Sequence, residues 1–179
     1  MIAGIIVAVL VVAGFSSYNS LVSINENVNG KWSQIENQLQ RRSDLIPNLV
    51  NTVKGYAAQE QQVIKSIADA RANLAGAQGP AAKAQANSEL NTALSRLLVV
   101  VEAYPNLKSD QNFRALMDEL AGTENRIAVA RKDYNDAVQV YNTKIRSLPT
   151  SLFAGAMGFG PKEYFQAEAG AQQVPQVKF

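Results

Sequence analysis

Residues 28–56 read VNGKWSQIENQLQRRSDLIPNLVNTVKGY, and this stretch decides the fold class. Its apolar and aromatic residues recur at alternating steps of three and four: Val28, Trp32, Ile35 and Leu39, then Ile46, Leu49, Val53 and Tyr56. That is the stripe of a helix packed along other helices at a shallow angle. Arg42 falls in the same seam, between Leu39 and Ile46. Val63, Ile64, Ile67 and Leu74 prolong the pattern until Gly76, Gly79 and Pro80 end it. No strong breaker intervenes, so the spacing predicts one helix running to about residue 76. Pro47 lacks an N–H and clashes with the carbonyl of Ser43, which predicts a kink there.

Downstream, Leu90, Leu94, Leu97, Leu98 and Val101 form the apolar face of a second helix, expected from about Ala81 to Tyr104. Pro105 stops it, and Asn106–Asp110 reads as a tight turn. Ser109 or Asp110 is placed to cap a third helix, from about Gln111 to Leu148. Its stripe is Phe113, Leu116, Leu120, Ile127, Tyr134, Val138, Tyr141 and Ile145. Short connections make neighbours antiparallel. The expectation is an all-α protein, an elongated antiparallel bundle of three long helices with a short C-terminal helix near Ser151–Met157.

Upstream, Met1 to Phe15 contains only apolar residues and glycine. Fifteen residues of helix cover roughly 22 Å, and continuing to Val22 reaches the roughly 30 Å of a hydrocarbon core. Tyr18 then lies at headgroup depth. No Lys or Arg precedes the run and no Ala-x-Ala site follows it, which favours a retained anchor over a cleaved signal. The first basic residue is Lys31, so the positive-inside tendency favours a cytoplasmic C-terminal domain. The expected organisation is a transmembrane anchor at 1–22 set in the lipid bilayer, a helical bundle at 23–149 and an aromatic, glycine-rich tail at 150–179.

Composition narrows the chemistry. Basic and acidic residues number 17 and 15, for a net charge of +2, which gives no field for nucleic acid. The chain has no cysteine and no histidine. Thiolate nucleophiles, zinc–thiolate sites, Ser-His pairs and the Glu-x-x-His motif of helical di-metal sites are therefore absent. The expectation is a protein that is not an enzyme and holds no cofactor. Glu102, Asp118, Glu119 and Glu124 read as a solvated face, because nothing resembles a contiguous calcium loop.

The polar clusters point to interaction or register. Arg41, Arg42, Asp44, Pro47 and Asn48 sit together on the first helix, with Glu124, Arg126 and Asp133 on the third as their counterparts. Arg42 in an apolar seam is expected to pair with Glu124 or Asp133, fixing register at little net gain in stability. The other reading is an anion-binding fork made by Arg41 and Arg42. In the tail, Phe153, Phe159, Tyr164 and Phe165 need burial, either against the bundle end or on a neighbouring subunit or other protein.

Several segments carry a resemblance. Tyr18–Val22, Arg41–Val50, Val101–Lys108, Thr123–Arg131, Asp133–Asn135, Tyr141–Thr143 and Phe159–Phe165 resemble, in order and at similar spacing, the LemA family of bacterial membrane proteins. The resemblance covers nearly the whole chain. It implies an N-terminal transmembrane helix followed by a non-membrane helical bundle, and it brings no catalytic residues. Gln59 stands where many relatives have His, so no acid–base or metal role carries over to that position. The anchor is also shorter and lacks the usual leading basic residues. From all this the expected role is a membrane-anchored scaffold that self-associates laterally as a homo-oligomer at the bacterial envelope. The alternatives are an adaptor that recruits an unidentified envelope-stress or sensory protein, and a carboxylate–metal enzyme.

Overall fold

The computed structural model describes residues 2–166, with side chains at Val12 and from Gly14 onward. Helix α1 spans Ile2–Tyr56, α2 Gln61–Gly76, α3 Gly79–Val101, α4 Pro105–Ser109 and α5 Gln111–Arg146, and a 3₁₀ turn follows at Thr150–Leu152. There is no strand among the described residues. The expected anchor, 1–22, falls largely on positions whose side chains lie outside those described. Among the described residues no helix is long and apolar enough to cross a membrane.

The chain forms two units, to both of which α1 and α5 contribute. One comprises residues 1–35 and 130–164, the other 36–129 with 165–179. Residues 167–179, the end of the expected tail, lie outside the described residues.

In the second unit, the stripe read from the sequence is the core of α1: Leu39, Ile46, Leu49 and Val53 are all buried. The single helix expected to reach residue 76 is instead broken at 57–60, and this is the main correction to the sequence reading. Ala57 is buried with its N–H on the Val53 carbonyl, and Glu60 N–H closes a turn onto Ala57. Helix α2 then runs back along α1, so Arg71 meets Ser43. The reversal buries Ile64, Ile67 and Leu74, which a straight helix would carry past the last apolar partner. A two-residue connection, Ala77–Gln78, then reverses the chain into α3. Asn73 donates to Glu89, and the Lys83 ammonium to the Leu74 carbonyl. The unit is thus an up-down-up-down four-helix bundle, where the periodicity predicted three long helices.

Two smaller differences share one cause, the choice of which stripe residue faces inward. Leu98 is 47% exposed because α3 buries Leu94, Leu97 and Val101, and Leu98 lies off that face. Tyr56, at the end of α1, is largely exposed and spends its hydroxyl on Asp110 at 2.9 Å. The stretch expected as a turn is helix α4, with Pro105 in its first turn, where a missing N–H costs nothing. Asp110 accepts the Phe113 N–H at 2.8 Å and caps α5, as expected of it. That bond, and the one from Tyr56, hold the Asp110 carboxyl below the usual carboxylate range.

Pro47 lies inside α1 without ending it. Proline leaves the carbonyl four residues back without its helical donor. Here Arg71 Nε donates to that carbonyl, on Ser43, at 2.9 Å. Replacing Arg71 by Met is expected to cost about 1–2 kcal/mol in chemical unfolding. The cost should shrink in a Pro47→Ala background, where residue 47 supplies its own N–H to Ser43. Equal costs in both backgrounds would show that the two positions are not coupled.

Candidate functional site

The polar residues singled out in the sequence fall into two groups, one in each unit. In the four-helix unit, Arg42 is 3% exposed in the middle of the apolar seam. Its Nη1 donates to Asn87 Oδ1 of α3 at 2.6 Å and to the Glu124 carboxylate of α5, and its Nη2 donates to Asn91 Oδ1 of α3. One guanidinium therefore fastens α1 to both α3 and α5. Of the two partners the sequence offered, the structure brings Glu124; Asp133 pairs with Lys31 at 3.0 Å in the other unit.

Beside this pair lies a more exposed network. Glu119 Oε1 accepts from Arg41 at 2.7 Å and from Arg126 at 2.8 Å. Arg126 also donates to Thr123 Oγ1 and to Gln38 Oε1. Asp44 accepts from Gln40, one turn earlier on α1, at 2.8 Å. Arg41 and Arg42 thus face different carboxylates, as a separation of about 100° on the helix requires. They do not converge as a fork. Asn48 is exposed and lines an amide-rich groove of about 580 Å³ with Asn51, Thr52, Asn112 and Leu116.

Sequence reasoning missed Asn87 and Asn91. The usable signal was that Asn87 and Asn91 precede Leu94 at heptad spacing, so polar side chains occupy α3's inward face. It also missed the cluster that sets the 57–60 turn. There the Tyr104 hydroxyl donates to Glu60 Oε1 at 2.7 Å and accepts from Gln59 Nε2 at 2.8 Å. The bond to Glu60 raises the Tyr104 pKa. Gln59, where the resemblance has His, is here a turn residue tied to a tyrosine.

In the first unit, an extended strap, residues 159–164, lies along α5. Asn142 is buried and grips Lys162 at two points: its Nδ2 donates to the Lys162 carbonyl and its Oδ1 accepts the Lys162 N–H, each at 2.9 Å. Tyr141 and Tyr134 donate their hydroxyls to the Gly160 and Glu163 carbonyls at 3.0 and 2.8 Å. Lys162 Nζ lies 5.5 Å over the Tyr141 ring and reaches Asn29. Trp32 packs on Tyr134 with ring centres 5.4 Å apart. Of the tail aromatics, Phe159 meets Tyr18 edge to face at 5.9 Å, Phe165 is buried, Phe153 is half-buried and Tyr164 is largely exposed. The short helix expected at Ser151–Met157 is a 3₁₀ turn followed by irregular turns, because Pro149, Gly155 and Gly158 break up the helical bonds.

Among the described residues no group of three or more acidic side chains is placed to hold a metal ion. The polar chemistry goes instead into fastening helix to helix and strap to helix. These features define a class: an all-helical bundle protein with a buried arginine clamp between helices and a tail strapped back along its last long helix. The chain belongs to the LemA family, whose family model matches residues 31–179. It is similar to magnetosome protein MamQ 2 of Paramagnetospirillum magneticum, 32% identical over 192 residues that cover 90% of this chain and 71% of that protein. It is 30% identical to MamQ of Magnetospirillum gryphiswaldense, across 83% of this chain and 64% of that one. Protein LemA of Metamycoplasma hominis is 21% identical, across 83% and 68%.

Burial separates the two arginines energetically. Arg42→Met strands Asn87, Asn91 and Glu124 without their shared donor, and should cost about 3–5 kcal/mol in urea unfolding. Arg41→Met removes a solvent-screened pair and should cost less than about 1 kcal/mol. Comparable costs would mean that Arg42 is not the buried clamp.

Tyr134 supplies a spectroscopic check on the strap. Burial, reinforced by the nearby Glu163 charge, pushes its pKa up to about 12 from 10.0. The folded state therefore favours the neutral phenol. Its contribution to stability is complete below pH 10 and is lost as the pH rises toward 12. Tyr56, Tyr104 and Tyr141 are also shifted upward, so Tyr134→Phe should remove one component of the late-titrating phenolate absorbance and leave the rest.

Proposed function

We propose that this protein is a membrane-anchored helical scaffold that self-associates laterally at the bacterial envelope and carries out no catalysis. The observation that carries this reading is that the helices of the closed four-helix unit still present apolar faces outward. Ala68, Ala72 and Ala75 of α2 are exposed at helical spacing, and the adjacent pairs Leu98–Val99 of α3 and Ala128–Val129 of α5 are exposed as well. The bundle has no further use for them inside. Small residues in a row let a neighbouring helix approach closely. Holding copies in a membrane plane raises their effective concentration for such contacts.

Anchoring through residues 1–22 is supported by the apolar composition of Met1–Phe15. Val12 and Phe15 are 68% and 70% exposed, which suits side chains facing lipid. Membership of the LemA family agrees with a membrane location.

Full-length protein in mild detergent, imaged by electron microscopy beside a form lacking residues 1–22, tests the reading. Large regular particles are expected only from the anchored form, and Ala68→Glu with Ala72→Glu should disperse them without loss of helical circular dichroism. Dispersed single molecules from the full-length protein would reject lateral assembly in favour of an adaptor with a different partner.

A further inference from the structure

Between Arg146 and Lys162 the chain carries no charged side chain. This segment closes on itself. Ala154 N–H bonds the Thr150 carbonyl at 2.9 Å, Met157 N–H the Phe153 carbonyl at 3.0 Å, and Phe159 N–H the Ala154 carbonyl at 3.0 Å. Thr150 and Ala154 are 2% and 4% exposed and form its inner side. Two leucines stand outward instead, Leu148 at 76% and Leu152 at 66% exposure, while Phe153, Met157 and Phe159 are half-buried. A loop that pairs much of its own backbone while turning leucines outward suits an environment poorer in water than bulk solvent.

Its place in the first unit says which environment. Phe159 rests on Tyr18 of α1, and Phe15 and Val12 lie one and two turns before Tyr18. The loop therefore stands beside α1 where the apolar run Met1–Phe15 gives way to polar residues. Lys144 and Arg146, in the last turn of α5, put positive charge next to it.

We propose that residues 147–161 are a second membrane contact. Leu148 and Leu152 seat in the interfacial layer of a bilayer containing anionic lipid, and Lys144 and Arg146 meet its phosphates. This rests on the reading that α1 enters the same bilayer. It adds that the membrane surface touches the end of α5 and fixes how the first unit stands on it.

The absence of cysteine makes the test direct, because one introduced thiol is the only one to label. Single variants Leu148→Cys, Leu152→Cys, Val12→Cys and Gln62→Cys of the full chain carry an environment-sensitive fluorophore in vesicles, Gln62 being an exposed residue of α2. The vesicles are phosphatidylcholine alone or mixed with phosphatidylglycerol, with nitroxide-bearing lipids as quenchers. Expected at positions 148 and 152 are a blue shift and loss of emission to headgroup-proximal nitroxide. Both should be greater with phosphatidylglycerol and reduced by Lys144→Gln with Arg146→Gln, while position 62 stays water-like. A quenched position 12 beside unquenched 148 and 152 would overturn the loop contact and leave the anchor standing. Blue-shifted emission at 152 that lipid nitroxides do not quench would mean that protein, such as a second copy, covers the loop, and would also overturn it. Unquenched emission at both 12 and 152 would remove the anchor reading itself. Quenching that ignores phosphatidylglycerol would overturn the role given to Lys144 and Arg146.

Discussion

A guanidinium buried in an apolar seam cannot be left without acceptors, and Arg42 imposes that constraint on the four-helix unit. Desolvating the charge costs several kcal/mol, so the surrounding helices must deliver oxygen atoms to it or the unit does not form. Glu124 comes from α5, and Asn87 and Asn91 from α3. Sliding either helix by one turn, about 5.4 Å, would withdraw these acceptors. Leucines at the same positions would pack in several registers. The arginine and its partners accept one.

The helix-breaking element obeys the same accounting of polar groups. Proline inside α1 exposes the Ser43 carbonyl, and the answer comes from α2, whose Arg71 reaches it because the chain reverses at 57–60. That reversal is in turn held by Tyr104, far along the chain. Each of these irregularities is met by a side chain from elsewhere in the chain. The four-helix unit is therefore linked through polar atoms as well as through its apolar core.

These dependencies explain what the sequence disclosed. The heptad-like stripe of α1 was legible, and Asp110 as cap and Glu124 as partner of Arg42 were each one of two candidates, because periodicity and charge in an apolar seam are local patterns. The hairpin between α1 and α2 was not. No proline or strong breaker marks 57–60, and the residue that ties the turn lies more than forty positions away. Nor was Arg71 legible, since it looks like any half-exposed arginine until its partner carbonyl is known. In the first unit the tail aromatics announced that they needed burial. The grip of Asn142 on a backbone gave no sign, because an asparagine beside Tyr141 has many ordinary uses.

That grip has a consequence for how the strap can evolve. Asn142, Tyr134 and Tyr141 all bind main-chain atoms, namely the N–H of Lys162 and the carbonyls of Gly160, Lys162 and Glu163. Every amino acid offers those carbonyls, and every one but proline offers that N–H. The path of the strap is thus encoded in α5, and its own side chains are released for other duties. Mutation can recolour the outward surface of this segment while the route it follows stays the same.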